Sequence, residues 1–170
     1  MRKLILLIIL AVPTVFIAST VSVKAGTFKS SADFVRKASI ANEFEIESSR
    51  LALEKSQNPA IKGFAQAMID DHTKTGNDLK TALVSSSVNP AEATDTLDLK
   101  HQKKLEELQN LSGKKFDEKY VDTQKETHKH AVDLFENYSK KGDDVVLKDF
   151  AAQTLPTLKG HLKHVKELNS

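Results

Sequence analysis

Past Thr27 the chain places its apolar residues three and four apart, and no stretch of useful length alternates apolar with polar, so helix is expected throughout. Ala, Leu, Lys, Glu and Gln dominate the same region, all good helix formers. Ser30 to Ser56 reads as helix A, with Ser31 or Asp33 available as N-cap. Asn58-Pro59 restarts the chain with proline at the first helical position, and helix B runs from Pro59 to about Ser85. Ser85-Ser86-Ser87 and then Asn89-Pro90 mark a connecting loop. A shorter helix from Leu97 to Leu111 carries Leu97, Leu105, Leu108 and Leu111 on one side. Ser112-Gly113 ends it and opens helix C, which continues to Lys140. Gly142 stops helix C, Asp143-Asp144 start helix D, and helix D reaches Leu168 with Pro156 inside it.

Four long helices, short A to B and C to D turns and a crossover with its own short helix describe two hairpins in an all-α, antiparallel four-helix bundle. The start of helix B, Asn58 to Ala65, faintly echoes the start of helix D, Asp144 to Ala151. A duplicated hairpin accounts for such an echo.

On a helical wheel, helix B buries Ile61, Ala65, Met68, His72, Thr75, Leu79 and Leu83, with His72 at the centre of the arc. Helix D buries Leu147, Phe150, Ala151, Thr154, Leu158, His161, Leu162 and Val165, leaving His164 at the border. Helix C presents Phe116, Tyr120, Thr127, His128, Ala131, Leu134, Phe135 and Tyr138, while His130 falls on its charged face. In helix A, Ile40, Phe44 and Leu51 share an arc with Glu47. Each long helix therefore turns one ionisable residue inward: Glu47, His72, His128 and His161.

Buried ionisable groups need partners, either one another or a ligand. Imidazoles and one carboxylate suit a single zinc, copper or iron ion, and a hydrogen-bonded polar network is the alternative use of the same residues. Asp71, at the edge of helix B's buried arc, and Tyr120 on helix C are expected to support the imidazoles from behind. His101, in the leucine stripe of the connecting helix, is expected to cap the bundle without a chemical role. If both interhelix turns lie at one end, His72 and His128 stand about 21 Å above it, Glu47 about 15 Å and His161 about 28 Å, at ~1.5 Å per residue. On that premise the four do not share one level.

The N-terminus changes the picture of where the chain works. Met1-Arg2-Lys3, an uncharged run from Leu4 to Ala18, and Val23 and Ala25 before Gly26 have the form of a signal peptide cleaved after Ala25. The mature domain is then residues 26–170, with its core in 32–168, exported to the periplasm or secreted, and without a membrane-spanning segment. Its charge is −1, from 22 basic and 23 acidic residues, so the formal +2 of the whole chain comes from the leader. That balance gives no case for nucleic acid. With no cysteine there is neither a disulfide framework nor a thiol nucleophile.

Asp71-His72, Leu97-Asp98 with His101-Gln102, Leu111-Ser112-Gly113 with Phe116-Asp117 and Tyr120, and Thr154-Leu155-Pro156-Thr157-Leu158 with His161-Leu162 resemble, in order and spacing, a bacterial domain-of-unknown-function family. Its members are often labelled predicted outer membrane protein. The resemblance spans about residues 32–168 and implies export and a ferritin-like bundle, but no established activity. No strand pattern supports a membrane barrel.

Di-iron bundles of ferritin type carry a Glu on each of two helices and Glu-x-x-His on the other two. Here Ile69 precedes His72 by three and Leu158 precedes His161 by three, so ferroxidase chemistry is not expected and neither is enzymatic activity. Two readings follow from the residues. The first is an envelope bundle with a structural, interaction or stress role, its Lys- and Glu-rich faces meeting an envelope protein or the cell wall. The second is a periplasmic protein that binds one transition-metal ion through a mononuclear His/Glu site.

Overall fold

The computed structural model describes residues 28–168, so the expected leader and its cleavage point lie outside the described residues. Among the described residues there are five α-helices and no strand: α1 (Ser31–Lys55), α2 (Pro59–Ser85), α3 (Leu99–Gln109), α4 (Gly113–Lys141) and α5 (Val145–Glu167). A single 3-10 turn, Pro90–Glu92, lies between α2 and α3. None of these helices is long and apolar enough to cross a membrane.

Local chemistry fixes the ends. Ser30, rather than Ser31 or Asp33, caps α1, its hydroxyl accepting from Asp33 N. Asn58 caps α2 with Pro59 in the first turn, Asp98 caps α3 through His101 N, and Asp144 caps α5 through Leu147 N. Each such cap satisfies an otherwise orphaned amide and is worth ~1 kcal/mol. Gly142 is the C-cap of α4, at a place where a Cβ would lie 2.7 Å from the Tyr138 ring. Gly113 opens α4 at φ +56°, which an L side chain rarely adopts.

The long helices close a ring in the order α1, α2, α5, α4, and α3 lies against α1 and α4. The two short turns sit at opposite ends of this ring. Lys55, at the end of α1, reaches the carbonyls of Gln109 and Leu111 just before α4. Ser31, at the start of α1, bonds Tyr138 and Asp143 at the end of α4. Ser87, just past α2, bonds the Asp144 carboxylate at the start of α5. Every adjacent pair in the ring is therefore antiparallel, and the segment carrying α3 runs the length of the molecule. The premise that both turns share one end is thereby corrected.

Three layers follow along the axis. By Gly142, Phe34, Val35, Leu79, Leu83, Phe135, Tyr138, Leu147 and Phe150 form one apolar cluster. At the other end Ile61, Phe64, Met68, Leu108, Phe116, Tyr120 and Val165 form a second. Between them, on all four long helices, the buried positions turn polar: Ser48 and Ser49, His72, Gln124 and Thr127 with His128, and His161.

Candidate metal centre

His72 stands at the midpoint of α2, thirteen residues from either end. His128 is thirteen residues before the end of α4, and His161 sixteen residues after the start of α5. Because α4 and α5 meet at one turn, their backbones differ in height by about 4.5 Å at the α-helical rise. Side chains lean toward the N-terminus of their own helix. His128 thus leans away from that turn and His161 leans back toward it, which closes the gap. The three rings have centroid separations of 5.7, 5.5 and 5.4 Å. One nitrogen from each lies within 4.8 Å of one from each of the others.

The opposite nitrogen of every ring is held. His72 Nδ1 is 3.0 Å from Asn42 Oδ1, His128 Nδ1 is 3.0 Å from the Gln124 carbonyl, and His161 Nε2 is 2.8 Å from Asp71 Oδ2. Amide oxygen, carbonyl and carboxylate all accept, so each held nitrogen carries the proton and each inward nitrogen carries a bare lone pair. Those inward atoms, His72 Nε2, His128 Nε2 and His161 Nδ1, are buried and without a hydrogen-bond partner.

Burial, followed by the neighbouring rings of His128 and His161, holds the His72 pKa well below the ordinary imidazole value. Burial lowers that of His161 too, against the opposing pull of Asp71. Both rings are therefore neutral donors at neutral pH.

The fourth helix contributes a carboxylate, and it is Glu45. Its side chain is buried, Oε1 lies 3.7 Å from His128 Nδ1, and Oε2 has no partner. Glu47 does not join the histidines; it is half-buried on another face, close enough to Glu43 to raise that carboxyl's pKa after burial has done so. The inward stripe of α1 runs Val35, Ala38, Asn42, Glu45, Ser49, Ala52, at spacings of three and four. Its residues are small or polar, so the larger Ile40, Phe44 and Leu51 drew the wheel off phase. Phe44 is buried, but against His101 on α3, with ring centroids 5.2 Å apart.

The other expected residues fall as follows. Asp71 bonds His161 directly. Tyr120 lies in the far apolar cluster with its hydroxyl on Ser49, at 2.9 Å. His101 bonds its own capping residue Asp98 at 2.7 Å, and His164 is exposed, its ring edge-on to Phe64. Asn42, Glu45 and Gln124 were not singled out in the sequence. A three-and-four stripe of polar residues facing His72 was the available signal for the first two.

A cavity of about 360 Å³ runs between α1 and α2 and reaches Glu45, His72 and His128. Fold and site together define an all-helical protein with a buried three-histidine cluster. The chain belongs to the family described as Domain of unknown function (DUF4142), which residues 18–168 match. No curated protein and no solved structure matches it.

Proposed function

We propose that this protein is an exported, ferritin-like four-helix bundle that binds one transition-metal ion through His72, His128 and His161. The bundle assignment is supported by the antiparallel ring with one long crossover, the connectivity of ferritin-like folds. Export is supported by the leader pattern in residues 1–25. The observation that carries the function is a trio of buried imidazoles that each leave one nitrogen without a partner and each bring a nitrogen within 4.8 Å of the other two.

A structural polar network is expected to satisfy its buried atoms, because each one left unpaired costs ~1–3 kcal/mol. This layer leaves five unpaired: the three imidazole nitrogens, Glu45 Oε2 and Gln124 Oε1. A single water donates only two hydrogens and cannot serve three facing acceptors. A cation serves all three at once. Three neutral nitrogens with their far sides hydrogen-bonded are the donor set of zinc, copper, cobalt or nickel, with bonds of ~2.0–2.1 Å for zinc. Ile69 and Leu158, three residues before His72 and His161, stand where a di-iron bundle carries glutamates, which argues against a di-iron centre.

The test is elemental analysis of the purified mature chain before and after chelation. One zinc or copper per chain is expected, lost on substituting His72→Ala or His128→Ala in variants that still show helical circular dichroism. A wild-type chain that takes up no metal and whose melting temperature does not respond to metal salts overturns the proposal, and returns the protein to the class of envelope structural bundles.

A further inference from the structure

Three of the four long helices each supply one imidazole, and the fourth, α1, supplies none. A metal drawn onto the three nitrogens therefore has its remaining direction turned toward α1. Two features occupy that side. One is the α1–α2 cavity, which touches His72 and His128 and runs out past Thr75 to exposed Arg50, Asn77 and Lys80. At about 360 Å³ it holds far more than one water, whose share of liquid volume is ~30 Å³. The other is the Glu45 carboxylate.

Glu45 stands beside the three-nitrogen cluster without joining it: the group of mutually close ligand atoms comprises the three histidines alone. Its nearer oxygen is 3.7 Å from Nδ1 of His128, the nitrogen that the Gln124 carbonyl also holds. The carboxylate is thus a neighbour of the rings and not one of the three clustered donors. A divalent ion on three neutral imidazoles carries +2, and two carboxylates stand at the rings: Glu45 Oε1, 3.7 Å from His128 Nδ1, and Asp71 Oδ2, 2.8 Å from His161 Nε2. With that charge offset at the rings, the ligand need only be a small lone-pair donor, water or a small anion that replaces it. Sites with three protein ligands and a free position are the exchangeable kind, in contrast to closed four-ligand structural sites.

Resting on the metal reading above, we propose that the ion held by His72, His128 and His161 keeps one coordination position open toward the α1–α2 cavity, and that this position takes a small lone-pair donor from solvent, water or a small anion that replaces it. Glu45 is a positioning residue: its charge, next to His128, weakens the pull of the ion on an anion.

The experiment uses the mature chain loaded with cobalt(II), whose visible spectrum reports coordination, titrated with azide as the probe anion. A saturable spectral change is expected, with one cobalt per chain. Glu45→Gln, which keeps the shape and removes the charge, is expected to retain the cobalt and bind azide about tenfold more tightly, since one nearby like charge is lost. A cobalt spectrum that azide leaves unmoved overturns the open position. If Glu45→Gln then also loses the ion, Glu45 is itself the fourth ligand and the three-histidine reading survives. No cobalt uptake by the wild-type chain overturns both.

Discussion

Phe34, Phe135 and Tyr138, at the end of the core by Gly142, and His72, His128 and His161, in its middle, are all buried to within 8% of full exclusion. The aromatic end is complete in itself. Phe34 stacks on Tyr138 at 3.8 Å between centroids, Phe135 meets Phe34 edge-on at 5.2 Å, and the Tyr138 hydroxyl is bonded to Ser31. The histidine layer has its outer atoms held and its inner atoms bare. One region satisfies itself through its own contacts, whereas the other leaves the inward nitrogens of its rings without a partner. Substitutions should separate the two.

The largest effect is expected at the aromatic end. Phe34→Ala removes a fully buried ring that packs on two aromatic neighbours, Phe135 and Tyr138, and should cost ~3–5 kcal/mol, read as a lower denaturation midpoint with unchanged metal stoichiometry in the folded fraction. His72→Ala should behave in the opposite way. The metal-free chain should lose far less stability than Phe34→Ala, but the stabilisation by added metal, about 2.7 kcal/mol at a hundredfold excess over Kd, should vanish. Equal losses of stability from the two, with no metal effect in either, would erase the distinction between the regions.

A smaller effect is expected one step out from the rings. Asp71→Ala leaves every donor nitrogen in place but frees His161 Nε2, so the ring loses both its orientation and its fixed tautomer. Metal affinity should drop about 10–100-fold by calorimetric titration, the usual loss on removing such a support. The melting temperature of the metal-free chain should hardly move, since Asp71 is about half exposed. An unchanged Kd would mean that packing alone positions His161.

At the aromatic end the corresponding support is Asp144, and it responds to acid. Burial pushes its carboxyl pKa up, but hydrogen bonds from Ser87 and from the first turn of α5 more than offset this and hold it below its ordinary value of 3.8. A depressed carboxylate stabilises the fold fully above the ordinary value and loses that contribution as pH falls through the folded one. Stability of the metal-free chain should therefore fall below about pH 3.8, and Asp144→Ala, which costs ~1 kcal/mol at neutral pH as a lost cap, should flatten that part of the profile. An identical acid profile in the variant would place the loss elsewhere.

The contrast between these regions also explains what the sequence disclosed. Long amphipathic periods, Asn58-Pro59, Gly142 and Asp144 are local signals, and they locate four long helices to within a residue or two. His72, His128 and His161 stand out because each interrupts an apolar arc. Their meeting at one level was hidden, because the direction of the crossover is a tertiary fact that nothing in residues 86–112 encodes locally. With the turns at opposite ends, and side chains leaning toward one another, the apparent mismatch in height disappears. Glu45 was hidden for a different reason. On α1 the buried stripe is made of Asn42, Glu45 and Ser49, and hydrophobic periodicity is blind to a polar face.

Gly76 offers the finest cut between the two regions. It lies one turn beyond His72, and a Cβ there would come 3.1 Å from Nδ2 of Asn42, the amide whose oxygen holds His72 Nδ1. Alanine in a helix interior ordinarily gains ~0.8–1 kcal/mol over glycine. Here the gain comes with a push of a few tenths of an ångström on Asn42, because a Cβ at that distance is too tight. Gly76→Ala is thus expected to leave overall stability nearly level while weakening metal binding a few-fold, and an additional Asn42→Ala should add nothing further to the loss. If instead the full propensity gain appears and the affinity is untouched, Asn42 does not position His72. The glycine would then mark no more than a gap on the cavity wall.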